Sequence, residues 1–432
     1  MSAPGLTDVL RQRTFRLLFI GVTTSRIGDA MTFVVLTWLA LNLGGPRAVG
    51  LVVFIGGCVT PISAPLIGHL LDRLGLRLLM LVDNLTRGLL MVVLAGLVHS
   101  GHVRLAHIVV FSVLSALLSP ATELGQDVAV PAMLKSREFD AANRLLAASW
   151  DISAWIGPAI AGFGIEVIGS ALVLLLDAST FFVMAFVALR MPGRAATRAD
   201  DEPEQHGSLR RLLSGFVLLW RLRPVAVMTL VGVANLFLGG MMEVFLPAYN
   251  KLTLHQGAAA YGLLISAAGA MCLLGTLALT PLAVRLGYGP GLIVVLVARG
   301  LAVLPLAFVG SWGLAVLFIA IAAVPDGCFF PMSRTVQQRL IPPGVRGRVQ
   351  GAKGALNVLG FPLGGAVSGL LLATWGPPTT AIVMGLGYLP LALAIVLTPQ
   401  IMRHVAPADP DPPEADGRPE LIASAPAPES AD

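Results

Sequence analysis

Charge is what this chain of 432 residues has least of, with Asp, Glu, Lys and Arg together making up 12%. Soluble domains carry roughly 25%. Alongside 56% hydrophobic residues and a mean hydropathy of +0.82, that scarcity excludes an ordinary soluble globule. It points to a protein that crosses a membrane many times. Cysteine is nearly absent: Cys58, Cys272 and Cys328 each lie inside an apolar run. A disulfide framework and a cysteine metal site are therefore not expected, and the three read as small packed hydrophobes. There is no G-x-x-x-x-G-K-[ST] loop, so ATP is not the expected energy source, and no cofactor is expected. His99, His102 and His107 cluster in sequence, but a metal site needs a geometry their loop does not guarantee, and they read as solvated. Lysine is rare, with three against 26 arginines, and Ala, Gly and Pro abound, which suggests a GC-rich bacterium and hence a bacterial cytoplasmic membrane. The net charge of +5 is no nucleic-acid signal, because its meaning lies in where the arginines fall.

Long apolar runs are what the chain has in abundance. Windows of roughly 20 residues mark membrane helices. They give twelve spans, at 15–43, 48–71, 78–98, 105–122, 141–168, 170–190, 225–250, 260–283, 289–310, 312–332, 349–374 and 378–399. The stretch 123–140 reads as an amphipathic continuation of the fourth span. The expected class is an all-α membrane protein of two pseudo-symmetric six-helix halves, residues 1–190 and 225–402. A polar linker, 191–224, joins them, and a disordered tail, 403–432, follows. No cleavable signal peptide is expected, because the first apolar run is long and lacks a small-residue cleavage site. Of the 29 Lys and Arg residues, 23 fall at the N-terminus, the even-numbered loops and the tail. Three, Arg47, Arg104 and Lys251, fall on the opposite face, and Arg26, Arg87 and Arg299 lie within spans. The positive-inside rule then puts both termini in the cytoplasm. Trp38, Tyr249, Tyr261, Trp312 and Trp375 fall near the outer span ends, as an interfacial belt would.

The two halves repeat each other in sequence. Ala48-Val-Gly-Leu51, Arg73-Leu-Gly75 and Arg87-Gly-Leu89 recur as Ala260-Tyr-Gly-Leu263, Arg285-Leu-Gly287 and Arg299-Gly-Leu301, each displaced by 212 residues. Internal duplication within hydrophobic spans is typical of secondary transporters.

Between the second and third spans stands Gly68-His-Leu-Leu-Asp72-Arg73-Leu-Gly75-Leu76-Arg77. It resembles the loop signature G-x-x-x-D-R-x-G-R-R of the major facilitator superfamily, matched at Gly68, Asp72, Arg73, Gly75 and Arg77. The resemblance implies a latch that holds the halves together in the outward-facing state. The second copy has lost the charges, with Val284 and Gly289 in place of Asp72 and Arg77. In the fifth span, Ser153, Gly157, Pro158, Ala161 and Gly162 are similar to the antiporter motif G-x-x-x-G-P-x-x-G-G of drug exporters in that superfamily. Gly360-Phe-Pro362-Leu-Gly364-Gly365 is its looser counterpart in the eleventh span. Ser25-Arg-Ile-Gly28-Asp29, Asp83-Asn-Leu-Thr-Arg87, Asp177-Ala-Ser179 and Arg346-Gly-Arg-Val349 resemble the enterobactin and macrolide exporter branch. One departure is plain: the fourth span has no arginine between Ala106 and Ala121, where many proton-coupled exporters carry one.

A charge in mid-membrane costs about 2.5–3.5 kcal/mol on insertion scales, so each one needs a reason. Arg26 and Asp29 at i, i+3, and Asp83 and Arg87 at i, i+4, read as intramembrane ion pairs. Arg299 has no acid within a turn and is expected to pair across helices or snorkel. Asp29 is the first candidate for a proton-carrying group, with a fixed bridge to Arg26 as the competing role. Glu243 and Asp177 follow as candidates. Glu243 has no basic residue before it in its span, and facing vestibule water is its alternative. Phe33, Asn235, Met241, Met242 and Asp326 are candidates for the substrate cavity, since flexible thioethers and aromatics beside an acid suit varied apolar cations.

The expected function is secondary export of an amphiphilic small molecule — an antibiotic, drug or siderophore — driven by protons through alternating access. Its partners would be that substrate, protons and membrane lipid, not nucleic acid, and the chain would be monomeric. An importer or lysolipid flippase on the same fold, or a non-transporting scaffold or sensor, are the alternatives.

Overall fold

The computed structural model describes residues 6–191 and 209–403, and every regular element among them is helical. The helices are α1 Leu6–Arg11, α2 Arg13–Leu74, α3 Leu76–His99, α4 Leu105–Leu118, α5 Pro120–Met133, α6 Phe139–Val167 and α7 Ser170–Leu189. They continue as α8 Leu209–Arg221, α9 Arg223–Leu252, α10 Ala258–Leu274, α11 Thr280–Arg285, α12 Tyr288–Val303, α13 Trp312–Leu340, α14 Arg346–Val396 and α15 Pro399–Arg403. A π-helical turn, Gly275–Leu279, joins α10 to α11. Only helices satisfy every backbone polar group within their own segment, which is what hydrocarbon demands of such apolar sequences.

Among the described residues nine helical stretches are long and apolar enough to cross a membrane. Two are much longer than a bilayer needs. At 62 and 51 residues, α2 and α14 each contain one non-helical glycine, Gly45 (φ 67°) and Gly376 (φ 77°). A positive φ costs glycine nothing, and a proline follows each glycine, so the chain turns back there. The expected boundaries at 43/48 and 374/378 therefore fall on real breaks. α4 and α5 meet at Ser119–Pro120, so the fourth span continues helically, but only to Met133 and not to 140, since Leu134 is extended. α6 matches the fifth span but is not among the nine, because glycine, serine and charged residues dilute it.

The linker expected at 191–224 contains α8, which packs on α14. Residues 192–208 of that linker and 404–432 of the expected tail lie outside the described residues. One further expectation is corrected. Tyr249 and Tyr261 do not belong to an interfacial belt, because both are fully buried. The Tyr249 hydroxyl donates to Val309 O at 2.6 Å, and the Tyr261 hydroxyl lies 3.0 Å from Thr37 Oγ1. Trp375 is exposed, as a belt residue would be.

Helices before residue 191 meet helices after 209 at the end of the bundle that carries Gly45. α14 packs on α2 and α9, and α10 packs on α6. Lys251 donates to Asn42 and stands over the Trp38 ring, while Trp38 stacks on Tyr261. Glu166 of α6 accepts from the Ala259 N–H at 3.1 Å. Glycines allow the closest approaches. A Cβ on Gly50 would stand 2.8 Å from Gly365 O, and one on Gly162 would stand 2.9 Å from Gly262 Cα. Such small-residue contacts hold membrane helices together by backbone proximity. At the Gly75 end, Asp72, Arg73 and Arg77 are exposed.

Candidate functional site

Ionisable groups gather in two clusters that flank a central cavity. In the first, Arg87 of α3 is almost wholly buried. Its guanidinium pairs with Asp29 of α2, donates through Nε to Ser115 Oγ at 3.0 Å, and lies 4.3 Å from the centre of the Phe181 ring. Asp83, one turn earlier, instead accepts from the Thr122 hydroxyl at 2.5 Å. The expected Asp83–Arg87 pair is thus replaced by a pair between helices. The reason is competition: α5 supplies Asp83 with a donor, and α2 supplies Arg87 with a more exposed carboxylate.

The expected Arg26–Asp29 pair is corrected in the same way. Arg26 donates to Leu146 O at 2.6 Å, to Ser149 Oγ, and to Gln126 Oε1 at 3.0 Å, with its guanidinium 4.7 Å from the Trp150 ring centre. Helical side chains lean toward the N-terminus, so Arg26 points back from the turn that holds Asp29 and reaches α5 and α6. Asp177 of α7 is buried behind Asp29. It accepts from the hydroxyls of Thr32 and Thr180, the latter at 3.1 Å.

The second cluster lies on α9, α12 and α13. Arg299 pairs with Asp326, donates to Asn235 Oδ1 at 3.2 Å, and stands 5.1 Å from the Tyr388 ring centre. Its expected partner across helices is therefore Asp326. Glu243 lies two turns along α9 from Asn235 and has no hydrogen-bond or ion-pair partner among the described residues.

Two chambers lie against these clusters. One, of about 530 Å³, is lined by Asp29, Thr32, Phe33, Trp150 and Phe361 among others. The other, of about 290 Å³, is lined by Asn235, Met242, Glu243, Arg299, Asp326 and Phe361 among others. Phe361 of α14 belongs to both walls. Of the cavity residues expected from sequence, Phe33, Asn235, Met242 and Asp326 face this space and Met241 does not. Neighbouring helical residues point about 100° apart, so Met242 reaches the chamber while Met241 is packed in the core and accepts the Ser368 hydroxyl on its carbonyl.

The motif residues have separate placements. In α6, Ser153, Gly157, Pro158, Ala161 and Gly162 are all buried. A Cβ on Gly157 would stand 2.9 Å from Ile27 O of α2, and one on Gly162 would stand 2.6 Å from Ala258 O of α10. This motif therefore touches both α2 and α10. Gly68, Asp72 and Arg73 lie in the last turns of α2 and Arg77 in the first turn of α3, on either side of Gly75, which breaks the helix at φ 78°. No described residue pairs with Asp72, so no latch contact is made in this conformation. His107 Nδ1 accepts the Arg104 N–H at 3.2 Å, which caps α4.

This arrangement, a helical bundle with buried charges around a central cavity, can bind and pass a solute. The sequence model of the Major Facilitator Superfamily matches residues 18–352 and 230–428. The chain belongs to this superfamily. Like the rest of the superfamily it is a multi-pass membrane transporter. A relative named multidrug efflux pump Tap, from Mycolicibacterium fortuitum, is 26% identical over 407 residues, covering 92% of this chain and 98% of that one. A relative named enterobactin exporter EntS, from Citrobacter koseri, is 26% identical over 291 residues, covering 67% and 68%. Among solved structures, a bacterial homologue of the iron transporter ferroportin, in an inward-facing state, superposes with a TM-score of 0.70 at 20% identity. That match covers 89% of this chain and 98% of the other and shares the superfamily fold.

Several residues of this superfamily member's site gave no signal in sequence. Thr32, Ser115, Trp150 and Phe361 are ordinary membrane residues until the helices are assembled. Phe181 and Tyr388, which carry Arg87 and Arg299 on their rings, gave none either.

Proposed function

We propose that this transporter exports amphiphilic small molecules, cationic drugs or antibiotics foremost, in exchange for protons by alternating access. The observation that carries the reading is Glu243: an unpaired carboxyl group in the wall of a chamber whose lining cation, Arg299, is already paired with Asp326. Its charge must be met by a proton or by a bound cation, and those two alternatives are what an antiporter exchanges. On the other wall, Asp29, Asp83, Glu123 and Asp177 lie around the guanidiniums of Arg26 and Arg87. Four acids to two bases leave spare carboxyls to carry protons. The relatives, a multidrug efflux pump and an enterobactin exporter, favour export over import, a lysolipid flippase or a scaffold.

The chain in this reading forms two six-helix halves of twelve spans, with residues 1–190 and 225–402 as the halves and 191–224 as linker. Supporting this, the two family matches begin at residues 18 and 230, which are 212 apart, the offset of the sequence repeat. Gly75 and Gly287, the same distance apart, both turn the chain at positive φ. With both termini cytoplasmic, the closed Gly45 end is outer and the conformation faces inward. The protein acts as a monomer in the cytoplasmic membrane of a bacterium.

The test is uptake of ethidium into inverted membrane vesicles under an imposed proton gradient. Uptake that collapses with a protonophore, and is lost in Glu243→Gln, supports the reading. Gradient-independent movement, or ethidium moving the other way, overturns it.

A further inference from the structure

A third cavity, of about 690 Å³, lies where α9, α13 and α14 come together toward the Gly75 end. Its wall is polar and of one sign. Arg334 of α13 and Lys353 of α14 line it, with Gln337, Gln338, Gln350 and Asn357, and no acid is among its lining residues. Neither cation has a hydrogen-bond or ion-pair partner among the described residues. Lys353 is half-buried, so its ammonium has given up part of its water without gaining a counter-charge.

Two further groups are unsatisfied in the same wall. Gln337 is 3% exposed; its amide nitrogen donates to Ser333 Oγ at 3.0 Å, while its Oε1 is buried with no partner. Asn357 Oδ1 is also buried without a partner. Buried polar atoms are nearly always bonded, so two such acceptors beside two unpaired cations describe a cradle awaiting a ligand. Fixed donors to an anion would come from Arg334 and Lys353, and the amide oxygens would take O–H or N–H groups of the same ligand.

This cavity adjoins the Glu243 chamber, with Leu236 and Phe330 in the walls of both. Along α9, Thr229 in the one and Glu243 in the other are separated by about 21 Å, at about 1.5 Å per residue. The path thus has an acidic inner chamber and a basic mouth.

We infer that Arg334 and Lys353 form a subsite for an anionic group, a phosphate or carboxylate bearing hydroxyl or amide hydrogens, at the mouth of the transport cavity. The inference rests on the reading of that cavity as the solute path and extends its substrates to molecules that carry an anionic group beside an apolar body. The anion is supplied either by a free amphiphilic solute or by the headgroup of a bilayer lipid.

The experiment is direct binding of dodecyl phosphate, read by isothermal titration, to the full chain in phosphatidylcholine nanodiscs. The expected result is saturable binding that falls about tenfold or more in the Arg334→Gln/Lys353→Gln double variant, as the loss of charge-assisted bonds dictates. The charge-conserving pair Arg334→Lys/Lys353→Arg should retain binding, which separates a lost charge from a damaged fold. Replacing part of the phosphatidylcholine with phosphatidylglycerol identifies the source. Competition assigns the subsite to a lipid headgroup, and undiminished binding assigns it to a free anion. Equal affinity in wild type and the double glutamine variant overturns the inference. Because no proton gradient enters this measurement, that failure leaves the ethidium result standing, and failure of ethidium transport leaves this one standing.

Discussion

Arg87 of α3 and Asp29 of α2 form an ion pair between helices, with the side chain of Arg87 8% exposed and that of Asp29 43% exposed. The acid therefore faces the cavity while the base stays behind it. In the proposed exchange a proton arriving from the cavity would meet Asp29 first, and its arrival would free Arg87 to turn toward Asp83 or Asp177.

That geometry fixes the first prediction. Asp29→Asn should abolish gradient-driven ethidium transport and lower the folded protein's stability, because Arg87 loses its counter-charge. Stranding a fully buried charge costs about 3–5 kcal/mol, and the exposure of Asp29 makes that an upper bound. Pairing it with Arg87→Gln should restore thermal stability in detergent without restoring coupling. If the double variant regains full proton-driven transport, Asp29 is a fixed structural partner only.

Glu243 behaves differently because it has no partner to strand. Glu243→Gln should leave abundance and melting temperature near wild type while affinity for ethidium falls roughly ten- to hundredfold, the range of a hydrogen bond or pair to a charged group. Fluorescence anisotropy of ethidium on the purified protein measures it. Unchanged affinity would send the cation site elsewhere in the cavity.

The crossing of α6 and α10 supports a prediction about conformation. Gly162→Val puts side-chain atoms where Ala258 O and Gly262 Cα now lie. Overpacking of this kind costs about 1–3 kcal/mol, enough to shift a two-state equilibrium about 5- to 150-fold. A single cysteine replacing Phe33 should then become more reactive toward an impermeant maleimide applied from the Gly45 side. Identical labelling from that side in both backgrounds would show that this crossing does not gate access.

Asp72 is exposed in the last turn of α2. Asp72→Asn should change stability by less than about 0.5 kcal/mol, yet slow ethidium turnover by removing a contact made only in the other conformation. Turnover equal to wild type would remove the loop from the cycle. Reporter fusions at Gly45 and Gly75 should fall on opposite sides of the membrane, and the same side for both would break the topology.

The repeat, the spans and the turn glycines were legible because they depend on local composition. The choice of ion-pair partner was not. Arg26 and Asp29 are close in sequence, but side-chain lean and the acceptors on α5 and α6 decided where Arg26 went. Met241 and Met242 were equally plausible on paper, and only the rotational setting of α9 sent one to the cavity. Tyr249 and Tyr261 carry the amphipathic signature of an interface, yet each found a buried hydroxyl partner or carbonyl once the helices met. Arg299 was partly legible: with no acid within a turn, it was left to pair across helices or snorkel, and Asp326 decided for the pair. Arg334 and Lys353 carried no signal beyond the basic bias of their end, since their isolation depends on what the other walls lack.

Gly50 against Gly365 and Gly369, and Gly162 against Gly262, bring backbone onto backbone with no side chain of their own between them. At those points two faces could part and meet again without any rotamer having to change, like plain bearings rather than gear teeth. In the proposed cycle the resistance to opening would then fall on the few side chains that bridge the same seam, Lys251 on Asn42, Trp38 on Tyr261 and Glu166 on the Ala259 N–H, which act as catches on an otherwise smooth hinge.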